Sequence, residues 1–113
     1  MYAYIGKFTA TPGNQQALAD RLLIAAKKME NAAGCLQYLI YTGDNESVWV
    51  SEIWRTKDDH DASLEIPGVR EFIRETMPLI ANMDSNQLTP VGGHGPTPLD
   101  NSHSEPPAAK GAG

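Results

Sequence analysis

Two apolar runs joined by a short polar turn constrain this chain more than any other feature. Cys35 to Thr42 reads CLQYLIYT, Val48 to Trp54 reads VWVSEIW, and Gly43-Asp44-Asn45-Glu46 stands between them. β-Branched and aromatic residues on either side of a Gly/Asp/Asn cluster predict a hairpin. A sheet with one wet face alternates apolar and polar positions, but these two strands are apolar almost throughout, so both faces of their sheet must be covered. Helices can take one face. In a chain of 113 residues whose large apolar side chains thin out after Val91, no further layer remains for the other. A second copy of the chain is the simplest cover.

The remaining elements follow from periodicity and punctuation. Tyr2 to Thr9 is a strand that stops at the turn signal Thr11-Pro12-Gly13. From Asn14, a reasonable N-cap, Leu18, Leu22, Ala25, Ala26 and Met29 recur at helical spacing up to a break before Gly34. Thr56 caps a short second helix, with Asp59 as a shortened capping-box acid. Pro67-Gly68 interrupts it, and Val69, Phe72, Ile73 and Met77 mark a further amphipathic segment that Pro78 ends or kinks. Gln87 to Val91 is expected to form a last short strand, with Pro90 at its end. The order β, α, β, β, broken α, β is the α+β, ferredoxin-like split βαβ sandwich. Residues 1–91 are read as that domain and 92–113 as a Gly/Pro-rich flexible tail unable to bury enough apolar surface to order itself.

Composition removes several function classes. A net charge of -5 without a Lys/Arg cluster offers no phosphate-tracking surface, so no nucleic-acid partner is expected. No apolar run approaches the roughly 18 residues of a membrane span, and no signal-peptide pattern opens the chain. With the lone Cys35, these points predict a cytoplasmic protein that does not engage membranes. P-loop, dinucleotide, HExxH and paired-cysteine motifs are missing, and His94 and His103 match no metal-ligand spacing. Neither a cofactor nor a metal is expected.

The chemically capable stretch is Val48 to Ser63, where the apolar strand hands over to a polar helix. Period-2 alternation puts Glu52 and Trp54 on one strand face, and i, i+3 spacing puts His60 and Ser63 on one helix face. These four are expected to converge on a pocket. His60 is the general-base candidate, or else a partly solvated residue among Asp58, Asp59 and Asp61. Glu52 is either its catalytic partner or a buried charge paired for structural reasons. Ser63 either touches a ligand or bonds back to its own helix, and Trp54 either walls the site or anchors the core. Tyr38, Tyr41 and Phe72 complete the expected substrate contacts. Which tyrosines face inward does not follow from alternation when both faces look apolar.

Glu52-Ile53-Trp54, His60-Asp61-Ala62-Ser63-Leu64 and Met77-Pro78-Leu79-Ile80, with the turn at Pro12-Gly13, resemble the antibiotic biosynthesis monooxygenase family from Tyr2 to about Val91. The resemblance implies a dimeric α+β barrel, a homodimer whose protomers each hold a pocket between sheet and helices. It implies oxidation of a small aromatic phenol or quinol by O2 without metal or flavin; His60, by its own placement, is the residue expected to take the proton, with Glu52 as its partner. Isomerases and haem-degrading proteins also occur in the family, and a non-catalytic dimeric module binding a small hydrophobic metabolite is the reading from a different class. One departure stands out: many members carry histidine where Ser63 stands here and another residue in place of His60.

Overall fold

The computed structural model describes residues 1–94; of the predicted tail 92–113, residues 95–113, including His103, lie outside the described residues. Strand β1 (Tyr2–Ala10) is followed by helix α1 (Gln15–Met29), the hairpin β2 (Cys35–Thr42) and β3 (Ser47–Trp54), helix α2 (Lys57–Ser63), helix α3 (Val69–Thr76), a single 3-10 turn (Met77–Leu79) and strand β4 (Ile80–Leu88). The sheet order is β2-β3-β1-β4 with every neighbouring pair antiparallel. Each β-α-β connection therefore skips one strand, which is the split βαβ topology of the ferredoxin-like fold.

Register assigns the two faces. Tyr38, Glu52, Tyr4 and Gln87 stand side by side across the sheet, as do Ile40, Val50, Gly6 and Ser85; these columns face the helices. A first core joins Ala10 and Val48 to Leu18, Ala19 and Leu22 of α1, and a second joins Tyr2 and Trp54 to Met29 and Val69. The intervening columns, Leu39–Ser51–Ile5 and Tyr41–Trp49–Lys7, face away from the helices.

Two expectations are corrected. The last strand is not Gln87 to Val91 but Ile80–Leu88, paired with β1 from Ala10 to Ala3. Its polar run MDSNQ has weak strand propensity, and β1's backbone partners and the tolerance of an edge strand for polar side chains override it. Asn14 does hold the N-cap position of α1, but its side chain makes no capping bond. Glu46, in the β2–β3 turn, supplies the carboxylate instead: Oε2 accepts from the Gly13 amide at 3.3 Å and Oε1 from the Gln15 amide at 3.2 Å. A charge placed on unsatisfied N–H groups also complements the helix dipole. Thr56 caps α2 as expected, its Oγ1 accepting from the Asp59 amide at 3.0 Å.

Candidate functional site

The site is built where the end of β3 passes beneath α2. Because Glu52 and Trp54 share a face, both point at the helices, and the Trp54 indole Nε1 donates to Glu52 Oε1 at 2.9 Å. This bond is the internal partner that a carboxylate only 6% exposed requires. Burial still dominates and raises the Glu52 pKa, opposed by the Trp54 bond and then by His60.

His60 stands across from it, with Nε2 3.9 Å from Glu52 Oε1 and its side chain 15% exposed. That separation exceeds a hydrogen bond. Glu52, expected as the partner of His60, therefore makes no hydrogen bond to the imidazole; Nδ1 lies 2.9 Å from Asp61 Oδ1, and Asp61 is the carboxylate that holds the ring. Hydrogen bonds from Lys57 first and His60 second hold Asp61 below the usual carboxylate range, so it is ionised near neutrality. An ionised acceptor assigns the proton to Nδ1 and leaves the lone pair on Nε2, facing Glu52. Three rings frame the imidazole: Tyr2 at 5.1 Å between centroids, Tyr4 at 5.8 Å nearly parallel, and Trp54 at 5.7 Å edge-on.

Next to this group lies a cavity of about 80 Å³, lined on the sheet side by Tyr38 and Glu52, on the α2 side by His60 and Ser63, and on the α3 side by Phe72 among others. Five of the seven expected site residues thus meet there. Ser63 reaches it with its hydroxyl already donating to the His60 carbonyl at 2.6 Å. Tyr38 is partly buried, and its pKa is raised beyond the ordinary phenol range, first by burial and then by the Glu52 charge; its hydroxyl stays protonated. Phe72 is held in place from behind, where the Arg21 guanidinium lies 3.8 Å from its ring centroid and bonds its carbonyl and Thr76 Oγ1.

Trp54 and Tyr41 do not line the cavity. Trp54 is fully buried beneath it and acts through Glu52. Tyr41 is 46% exposed on the opposite sheet face, because it is odd-numbered in the register that turns Tyr38 inward. Sequence reasoning missed the pairing of Asp61 with His60, and also Tyr2 and Tyr4 as walls of the imidazole. The strand alternation Tyr2, Tyr4, Gly6 carried the second signal once the inward face was known.

The profile of the family described as antibiotic biosynthesis monooxygenase matches residues 1–75. Among solved structures, an antibiotic biosynthesis monooxygenase family protein from Chloroflexus aurantiacus is 38% identical with a TM-score of 0.74, covering 83% of this chain and 96% of that one. PA3566 from Pseudomonas aeruginosa is 27% identical with a TM-score of 0.70, covering 77% and 90%. A Deinococcus radiodurans protein ascribed to the same family shares the fold at 20% identity and a TM-score of 0.71, covering 86% and 97%. Nothing matches among curated proteins. With a matching profile over most of the folded domain and a relative of this identity aligned along nearly its full length, the chain belongs to the antibiotic biosynthesis monooxygenase family.

Proposed function

We propose that this protein is a cofactor-independent monooxygenase that oxidises a small phenol or quinol with O2, using His60 Nε2 as general base. The observation that carries the reading is the Asp61–His60 pair, which leaves Nε2 on the side of Glu52, both His60 and Glu52 lining a cavity shared with Tyr38 and Phe72. A hydroxyl of the substrate would give its proton to Nε2, and the imidazolium would be stabilised by Asp61 on one side and Glu52 on the other. The electron-rich anion would then reduce O2. The balance closes without another reductant: a quinol plus O2 gives a hydroxyquinone plus water, one oxygen atom entering the ring and the four electrons coming from the quinol. Family membership supports a monooxygenase-like role in general terms; the phenol or quinol class is the one the resemblance implies, and the Tyr38 and Phe72 walls of the cavity support an aromatic ligand.

Size restricts that class. The cavity, about 80 Å³, is smaller than the roughly 150 Å³ that holds one benzene molecule in a protein core. A single ring enters only if Phe72 and Ile73 give way slightly on α3. Following oxygen uptake by purified protein with a substituted hydroquinone tests the proposal. Uptake with formation of the hydroxyquinone, lost in His60→Ala, is expected; equal rates for both proteins remove the role of His60. Saturable binding without any uptake would instead favour a non-catalytic binding module.

We also propose that two copies associate through the sheet face that carries Ile5, Leu39, Trp49 and Tyr41. No element of the protomer covers it among the described residues, and Leu39 is 42% exposed there. Among the described residues no helix is long and apolar enough to cross a membrane.

A further inference from the structure

Tyr38 lines two cavities at once. One is the inner chamber of about 80 Å³ beside His60 and Glu52. The other is an open groove of about 390 Å³ on the far side of α1, bounded by Leu23, Ala26, Leu36, Cys35 and Tyr38, with Lys27 and Glu30 at its rim. The two volumes lie on opposite sides of the C-terminal half of α1, and the residues that α1 offers them are consecutive: Ala25 borders the chamber and Ala26 the groove. Ala25 and Ala26 put only methyl groups on that part of α1, and Tyr38 on β2 borders both spaces. No hydrogen bond among the described residues holds its hydroxyl, so rotating the ring breaks no polar contact.

We propose that the outer groove is a second substrate subsite, continuous with the chamber once Tyr38 turns aside, and that it receives an apolar side chain carried by the phenol ring. The preferred substrate is then an alkylated or prenyl-like quinol: ring in the chamber, tail under α1 and along the groove. The inference rests on the quinol reading above and supplies what that reading lacks, since the chamber alone is too small to give a single ring much affinity. Groove chemistry suits the tail. Leu23 and Leu36 are exposed in the absence of a ligand, Ala26 adds a small apolar wall, and the Lys27–Glu30 pair at 3.4 Å keeps the charges satisfied with each other at the rim. Burying methylene groups there gains affinity with each added carbon.

The test is binding, measured apart from turnover. Equilibrium dialysis compares hydroquinone with 2-hexylhydroquinone, both kept reduced under anaerobic conditions. The wild-type protein is expected to bind the hexyl compound at least about tenfold more tightly. Ala26→Trp, which fills the groove, and Leu36→Lys, which makes its wall polar, are each expected to abolish that advantage while hydroquinone binding stays unchanged. Tyr38→Ala, which joins the two volumes, is expected to speed association of the hexyl compound. An equal affinity for both compounds, or an advantage that survives both groove variants, overturns the subsite. Oxygen uptake is then measured separately: a hexyl advantage without uptake leaves the groove standing and removes the monooxygenase reading.

Discussion

Asp61 Oδ1 lies 2.9 Å from His60 Nδ1, a bond between residues adjacent in sequence on the short helix α2. Lys57 bonds the other Asp61 oxygen at 2.8 Å from one turn earlier. Lys57, Asp61 and His60 thus form a chain that leaves Nε2 on the side of Glu52. His60→Ala is expected to lower turnover of a quinol by more than about 100-fold, the range of a lost general base. Asp61→Asn keeps the shape of the side chain and removes its charge, so it should reduce kcat by a smaller factor with KM nearly unchanged. Steady-state kinetics of the two variants checks this; an Asp61→Asn enzyme with wild-type kcat would show that the pair has no catalytic role.

Glu52 makes stability depend on pH in a direction opposite to that of a surface carboxylate. Burial raises its pKa above the ordinary 4.5, so the native state holds this proton more tightly than the unfolded chain. Stability is therefore greatest below 4.5 as far as this group is concerned, and falls as pH rises through the native value. Each tenfold difference in proton affinity is worth about 1.4 kcal/mol. Glu52→Gln keeps an oxygen for the Trp54 indole and removes the charge. Urea unfolding at pH 4 and pH 7 should show the variant gaining stability relative to wild type on going to pH 7. Glu52→Ala should be destabilised by about 1–3 kcal/mol, because it strands a buried indole N–H.

How much of this could be read from the residues depended on whether the signal was local. Thr56 announced its helix because a cap acts within one turn, and Glu52 and Trp54 were placed on one face because strand alternation needs no partner. Tyr38 and Tyr41 could not be told apart, since parity becomes inward or outward only through pairing with β3. Strand β4 was hidden because backbone pairing with β1, not the propensity of Asn82, Asp84 and Asn86, makes it a strand. The capping carboxylate of α1 comes from Glu46, more than thirty residues from the helix start, and helical spacing rules do not reach that far.

That distant cap carries the next prediction. Glu46 adopts a left-handed backbone, with φ 62°, while its carboxylate bonds the Gln15 amide that opens α1 and the Gly13 amide just before it. Glu46→Ala is expected to cost about 1 kcal/mol, the usual loss on removing a helix cap. Glu46→Gly should cost less than Glu46→Ala, because glycine relieves the left-handed conformation. Asn14→Ala should cost less than Glu46→Ala despite holding the cap position. Thermal melts of the three variants rank them; an Asn14→Ala protein less stable than Glu46→Ala would reverse the assignment.

Gly34 joins the helix layer to the strand that leads into the site. Its φ is +80°, and a Cβ added there would overlap the side chain of Asp59 on α2, the helix that carries His60. Gly34→Ala thus meets both backbone strain, about 1–2 kcal/mol in this conformation, and a collision. Adding Asp59→Gly, which also takes away the Cβ that the new atom would meet at 2.6 Å, should recover the collision part only, leaving the double variant more stable than Gly34→Ala and less stable than Asp59→Gly alone. Equal stability of Gly34→Ala with and without the Asp59 change would show that α2 does not press on this turn.

Self-association can be tested at the centre of the open sheet face. Leu39, Ser51 and Ile5 lie side by side there, flanked by Tyr41 and Trp49, so an apposed copy would place its own apolar column against them. A specific interface buries at least about 1,200 Å², and an unpaired carboxylate in its middle is expensive to desolvate. Light scattering coupled to gel filtration is expected to give twice the chain mass for wild type and a single mass for Leu39→Glu. Because Leu39 is already 42% exposed in the protomer, the substitution should leave the protomer folded, which circular dichroism verifies. A wild-type protein that elutes as a monomer at micromolar concentration would leave this face to solvent and refute the pairing.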